Sequence, residues 1–124
     1  VHGYQVEIDA SLERKSDKNV NADGSSAADQ PRSWTGGIYD EARRGWIGDL
    51  SRNPEARNAY KRDQWNHLRI KAEGDSIKTW INGVPAADIK DEMTAEGFIG
   101  FQVHGVGTSK KMQVMWKNIR IKVL

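Results

Sequence analysis

Apolar and polar residues alternate at every second position along much of the chain, which is the period of a β-strand with one buried face. Residues 3–9 place Tyr4, Val6 and Ile8 on one face and polar residues on the other. Strand-like patterns return over residues 34–41, 65–72, 76–82, 97–104 and 113–124. We therefore predict an all-β protein, with short antiparallel strands stacked in a β-sandwich.

Turn residues separate several of these segments. Glu73-Gly74-Asp75 predicts a hairpin turn between two strands, and Asn82-Gly83 closes the second of them. Ser51 followed by Pro54 predicts one short helix over residues 55–60, because proline is well tolerated in the first helical turn.

The remaining segments predict loops. Residues 11–33 are polar and poor in apolar side chains, so we expect a polar, mobile loop there. Residues 43–46 predict a shorter loop. A length of 124 residues fits a single β-sandwich domain over 1–124. Because Val1 enters a strand pattern almost at once, we also expect the chain to be a piece of a longer one.

Composition narrows the classes of function. The 19 basic and 17 acidic side chains are scattered, whereas nucleic-acid binders concentrate basic residues in a stripe. Apolar runs are too short to predict a membrane span. The absence of cysteine excludes disulfides, thiolate metal sites and a cysteine nucleophile. Any catalysis must therefore use carboxylates, histidines and polar strand faces.

Two predicted strands carry unusual polar faces. One offers Gln5, Glu7 and Asp9 in a row, and another offers Gln102 and His104. If both strands lie in one sheet, carboxylates, amides and an imidazole converge on one surface, where neighbouring carboxylates raise each other's pKa. The plainer alternative is that the acids are solvated strand residues and the histidine is structural.

Aromatic residues supply a second candidate feature. Flat rings stack on sugars, and several lie near strand ends or outer faces: Trp34, Tyr39, Trp46 and Trp80. No spacing of histidine and acidic residues matches a defined metal motif. The residues by themselves predict a sandwich with a polar cleft.

Five segments in order make the pattern more specific. They are GYQVEID (3–9), WTGGIYDEARRGW (34–46), QWNHLRIKAEGDSIKTWING (64–83), GFIGFQVHG (97–105) and VMWKNIRIKVL (114–124). Together they resemble the 3-keto-disaccharide hydrolase family of secreted bacterial proteins. The resemblance implies a concanavalin A-like jelly roll and a secreted or periplasmic location. It also implies an N-terminally truncated, incomplete sandwich whose sheet a missing segment or a second chain completes.

The resemblance further implies action on glycosides oxidised at C3. A base removes the C2 proton, the C1 substituent leaves by β-elimination, and water adds to the product. We predict Glu7 and His104 as the base and acid, with their roles left open. The predicted substrate-binding residues are Gln5, Asp9, Tyr39, Glu41, Arg44, Trp80 and Gln102. No metal ligands are assigned, and a divalent metal held by Glu7, Asp9 or His104 stays an open alternative.

The sequence leaves two alternative functions. A non-catalytic, lectin-like carbohydrate-binding module would use the same aromatic and amide side chains. An ordinary β-glucanase would need the strand motif E-x-D-x-x-E, but Leu12 occupies the last position and the next acid is Glu13. Paired carboxylates at glycosidase spacing are therefore not secured by the sequence.

Overall fold

The structure is a computed structural model that describes residues 2–9, 34–103 and 113–124. Within these residues the chain forms strands and one short helix. Their bounds are β1 (Gly3–Val6), β2 (Ile38–Glu41), β3 (Gly45–Gly48), α1 (Pro54–Ala59), β4 (Leu68–Glu73), β5 (Ser76–Ile81) and β6 (Val84–Lys90).

The first sheet has the order β1-β2-β3, with both pairings antiparallel. Val6 lies opposite Ile38, and Tyr4 lies opposite Asp40. Because side chains alternate between faces, these four residues point to one side of the sheet. Ile38 is fully buried there, so this side is the inner face and the other is the outer face.

The second sheet has the order β4-β5-β6 and consists of two consecutive antiparallel hairpins. The first hairpin turns at Gly74, as predicted. The second turns at Asn82 and Gly83, whose φ angles are 51° and 87°. Two successive positive φ angles are those of a type I′ turn, whose twist matches that of the flanking strands. The prediction that Asn82-Gly83 ends the strand is therefore confirmed.

The core lies between the two sheets. Its buried apolar residues come from both sheets, the helix and the connecting segments: Trp34, Ile38, Leu50, Ala56, Ile77, Ile81 and Ala87. Thr79 is the polar link across this core. Its hydroxyl donates to the carbonyl of Gly36 at 2.5 Å and accepts from the backbone N–H of Ala87 at 2.9 Å. The buried hydroxyl is thus hydrogen-bonded, and it joins the second sheet to the segment leading into β2.

Helix α1 begins at Pro54, one turn of sequence after Ser51. Asn53 caps it, accepting from the backbone N–H of Ala56 at 3.0 Å. The Asn53 amide also donates to the carbonyls of Pro85 and Ala86 at 3.1 and 3.0 Å, which ties the helix to β6. The predicted helix is confirmed, with asparagine as its N-cap.

The fold class is confirmed, and some strand predictions are wrong. The described residues form an incomplete antiparallel sandwich, as expected for the class. Strands β3 and β6 were not predicted. The strands predicted over 97–104 and 113–124 do not form in described residues 97–103 and 113–124. The polar loop predicted over 11–33 lies outside the described residues, and the single domain over 1–124 stays a prediction.

Candidate functional site

A polar and aromatic row crosses the outer face of the first sheet. Gln5 lies opposite Tyr39, and Tyr39 lies opposite Trp46, so the row takes one residue from each strand. The rings of Tyr39 and Trp46 meet edge to face, with centroids 5.3 Å apart and planes at 79°. Amide and aromatic side chains in one row can contact both the hydroxyl groups and the flat faces of a sugar.

Glu7 adds a carboxylate beside this row. The pairing of β1 with the second strand continues past Val6, because the N–H of Glu7 donates to the carbonyl of Gly37 at 2.9 Å. The N–H of Gly36 returns a 2.9 Å hydrogen bond to the carbonyl of Glu7. On the outer face, the Gln5 amide donates to the Glu7 carboxylate at 2.9 Å. Glu7 is thus placed by the backbone ladder and oriented by its neighbour, as a general base requires.

The other two predicted acids lie farther from the centre of the row. Asp9 follows β1, where its backbone N–H donates to the Thr35 hydroxyl at 3.0 Å and its carbonyl accepts from the same hydroxyl at 3.0 Å. Glu41 lies opposite Gly3, four residues along β1 from Glu7. Four strand residues span roughly 13 Å, so Glu7 and Glu41 belong to opposite ends of the face.

A network of charged groups lies on the inner side at one end of the sandwich. We call it the ion cluster, and its members are Tyr4, Asp40, Arg43, Arg44 and Asp91. Asp40 is fully buried and accepts from the Nε atoms of Arg43 at 2.7 Å and of Arg44 at 2.6 Å. Arg44 also donates to both oxygens of Asp91 at 2.7 and 3.0 Å, and the Tyr4 hydroxyl donates to Asp91.

These contacts govern ionisation within the cluster. Burial disfavours the charged form of Asp40, but hydrogen bonds from Arg44 and Arg43 outweigh it and hold its pKa below the ordinary value. Hydrogen bonds from Arg44, Tyr4 and the Met93 backbone lower the pKa of Asp91. The bonds to Asp91 and Asp40 raise the pKa of Arg44. All three groups are therefore charged over the neutral range.

The ion cluster joins the two sheets, since Asp40 lies in β2 and Asp91 follows β6. Its residues other than Arg44 were not among the predicted site residues. A sequence signal for Asp40 did exist, because it shares the phase of buried Ile38 and is followed by two arginines. An acid at an apolar-phase position, with cations close by, indicates a buried ion pair.

Comparison with known proteins tests the resemblance that the sequence suggested. A family profile described as the 3-keto-alpha-glucoside-1,2-lyase-like domain matches residues 1–122. The chain belongs to this family. No curated protein matches the chain significantly. The suspected family is confirmed, and its description points to glycoside processing of the 3-keto-glucoside lyase type.

The structure brings together some of the predicted site residues and separates others. Gln5, Glu7, Tyr39 and Glu41 share the outer face of the first sheet. Arg44 is held in the ion cluster, between two carboxylates.

Trp80 lies on the second sheet, where the Arg69 guanidinium sits 4.8 Å above its ring. Gln102 is exposed in a segment without a strand, and His104 lies outside the described residues.

The described residues contain no group of three or more histidine and acidic side chains that could hold a metal ion. Three residues were considered as metal ligands. Glu7 and Asp9 lie in the described part of the chain, and His104 lies outside it. The helix in the described part is too short and too polar to cross a membrane.

Proposed function

We propose that this chain cleaves 3-keto-glycosides by elimination on the outer face of the first sheet, with Glu7 as the base. One observation supports this proposal beyond the family assignment: the Gln5 amide donates to the Glu7 carboxylate at 2.9 Å on the outer face of the first sheet. Secretion or a periplasmic location belongs to the proposal and rests on the family resemblance.

The chemistry needs few groups. The ketone at C3 acidifies the hydrogen at C2, so a carboxylate can remove that proton and leave an enolate. The enolate electrons then form the C1–C2 double bond as the bond from C1 to the glycosidic oxygen breaks. That oxygen leaves as an alcohol after taking up a proton. The product is a 2-hydroxy-3-keto-glucal, and addition of water across its C1–C2 double bond yields the free 3-keto sugar.

The residues of the outer face are suited to several of these reaction steps. Glu7 removes the C2 proton, and Gln5 holds the carboxylate while its carbonyl oxygen is available to a hydroxyl group. Tyr39 has a phenol beside them to donate to a substrate oxygen. His104 stays the predicted acid for the departing oxygen.

The test is release of the alcohol from a 3-keto-glucoside and from its unoxidised parent glucoside. We expect release from the keto sugar alone, and Glu7→Gln should lower kcat by about 10²- to 10⁴-fold, the usual contribution of a general base. Glu96→Gln is the matched control, because Glu96 is exposed and belongs to no strand of the first sheet. Full activity of Glu7→Gln would remove Glu7 from the reaction.

A carbohydrate-binding module is the second candidate, and the aromatic pair of Tyr39 and Trp46 favours it. A binder needs the flat rings and the amide but has no use for a base. Binding of both sugars without release of alcohol from either would establish this alternative.

An ordinary β-glucanase is disfavoured by its strand motif, in which Leu12 stands at the position of the last acid, and by the separation of Glu7 from Glu41. The two carboxyl groups of a glycosidase lie about 5–5.5 Å apart in retaining enzymes and about 6.5–9.5 Å apart in inverting ones. Glu7 and Glu41 are four strand residues apart on the outer face, roughly 13 Å along the sheet. Release from the unoxidised glucoside would reverse this conclusion.

A further inference from the structure

We propose that Trp46 is the platform on which the oxidised sugar ring stacks, and that it selects glucosides over galactosides. The role of Glu7 as the base is taken from the proposed function. The stacking itself rests on the positions of the aromatic side chains.

Trp46 and Glu7 flank the same backbone position. Gly37 lies opposite Glu7 in the ladder, as their backbone hydrogen bond shows. A Cβ atom added to Gly37 would come within 3.0 Å of Cζ3 of Trp46, so the indole ring rests over this bare backbone. Because neighbouring strands are about 4.8 Å apart, Glu7 lies one strand away from the glycine over which the indole ring rests, a spacing that a single sugar spans.

Other rings hold the indole of Trp46 in place. The ring of Trp34, which is 6% exposed, meets it at 4.7 Å and 86°. Tyr39 meets it from the neighbouring strand at 5.3 Å and 79°. Trp46 itself stays partly exposed. An aromatic side chain already fixed by packing loses little entropy when a ligand binds, which suits a stacking platform.

The other tryptophans of the described part are less suited to this role. Trp34 is buried in the core, and Trp80 lies on the second sheet beneath Arg69. Trp65 carries the Lys117 ammonium 3.9 Å from its ring centre, and Trp116 packs against Phe101 outside both sheets, with ring centroids 5.2 Å apart. Trp46 therefore combines partial exposure with a position beside Glu7.

The flat indole also predicts which sugar fits. An α-glucoside carries its hydroxyl groups near the ring plane but its C1 oxygen axially on one face, so only the opposite face, with the axial C–H bonds of C2 and C4, packs closely on an aromatic surface. A carbonyl at C3 flattens the ring further. Galactose has an axial hydroxyl at C4, which projects from that opposite face and blocks close stacking there.

The binding test uses methyl α-glucoside and methyl α-galactoside, which do not react. The chain has five tryptophans, so the indole N–H signals can be followed by NMR, and Trp46→Phe identifies the signal of Trp46 by its loss. We expect glucoside to shift this signal saturably and galactoside to bind more weakly. Trp46→Leu should bind glucoside about tenfold more weakly, and Trp46→Phe should retain most of the affinity.

Trp65→Leu is the matched control, because it removes a half-exposed indole outside the first sheet, and it should bind as the parent does. Kinetics with a 3-keto-glucoside add a second readout. Stacking acts alike on substrate and transition state, so Trp46→Leu should raise KM about tenfold with little change in kcat. Glu7→Gln should instead lower kcat.

The outcomes separate the two proposals. Loss of binding in Trp46→Leu without turnover by the parent would keep the platform and overturn the elimination. Turnover with an unchanged KM in both Trp46→Leu and Trp46→Phe would overturn the platform and keep the elimination. Equal binding of glucoside and galactoside would overturn the selectivity, and absence of both binding and turnover would overturn both proposals.

Discussion

Strand β5 and residues 97–103 have nearly the same alternation of apolar and polar residues, yet they differ completely in structure. In β5 every second residue is buried, and Ile81 is fully enclosed. In residues 97–103 both phases are exposed, with Ile99 73% and Phe98 83% accessible. The difference lies in the neighbours. Strand β5 pairs with β4 on one side and β6 on the other, whereas residues 97–103 pair with no strand of the described part.

The second C-terminal segment, residues 113–124, resembles the first. The ring of Trp116 lies 5.2 Å from that of Phe101, and Lys117 sits over the ring of Trp65. Such contacts hold segments near one another but do not enclose them. Alternation of apolar and polar residues therefore shows only that a segment can form a half-buried strand. Whether the strand forms depends on hydrogen-bonded pairing with a neighbouring strand.

The largest effect is expected from shortening one isoleucine in β5 and one in residues 97–103. Ile81→Ala should lower the free energy of unfolding by about 2–5 kcal/mol, because it opens a cavity between the sheets. Ile99→Ala should change it by less than about 0.5 kcal/mol, since its side chain is already exposed. Denaturant unfolding measures both. Similar losses in the two variants would show that residues 97–103 are packed in solution.

A smaller effect is expected from adding one methyl group at a glycine packed beside β2 and at a glycine of residues 97–103. Gly37→Ala places a Cβ atom 3.0 Å from the carbonyl of Trp34 and 3.0 Å from the ring of Trp46. We expect a loss of about 1–3 kcal/mol, typical of overpacking, together with weaker sugar binding.

Gly97→Ala is the matched control, because its Cβ atom would meet nothing within 4 Å. Equal denaturant midpoints for the two alanine variants would contradict the close packing of Trp46 on Gly37.

The smallest effect is expected in the stability of the protein at acid pH. It distinguishes the contribution of the ion cluster from that of exposed ion pairs. The pKa values of Asp40 and Asp91 are lowered from the ordinary 3.8. A lowered folded pKa contributes stability that is complete above the unfolded value and is lost as the pH falls through the folded one. We expect stability to fall below about pH 4, and to fall less steeply in Asp91→Asn.

Asp88→Asn provides the comparison, because Asp88 pairs with Lys78 at 2.9 Å on the exposed surface. This variant should keep the acid dependence of the parent protein. Melting temperatures between pH 2 and 7 would show it, and an unchanged slope in Asp91→Asn would remove Asp91 from the acid response.

Local chemistry explains which elements could be predicted. Asn82-Gly83 tolerates two positive φ angles, so the turn at the end of β5 could be predicted from two residues. The strand that follows, β6, was missed because it opens with Val-Pro-Ala-Ala, which has weak strand propensity. Proline is accepted there because β6 is at the edge of its sheet, a position that the sequence does not state.

Some features of the candidate site could likewise be predicted from the sequence, and others could not. Glu7 and Gln5 share a face because residues two apart in a strand always do. That Trp46 joins them depends on β3, which pairs with β2 through a bulge that the sequence did not reveal. Arg44 was predicted at the sugar, and the tertiary structure holds it between Asp40 and Asp91 instead.

The sequence by itself determined the family, the β-class, the turn at Asn82-Gly83 and the polar face of the first strand, because each depends on residues close together in the chain. Only the tertiary structure decided which alternating segments became strands, that Asp40 is buried, and that Trp46 rests on Gly37 beside Glu7. Those features depend on pairing and enclosure by residues distant in sequence, and the energy of burial exists only once both partners are in place.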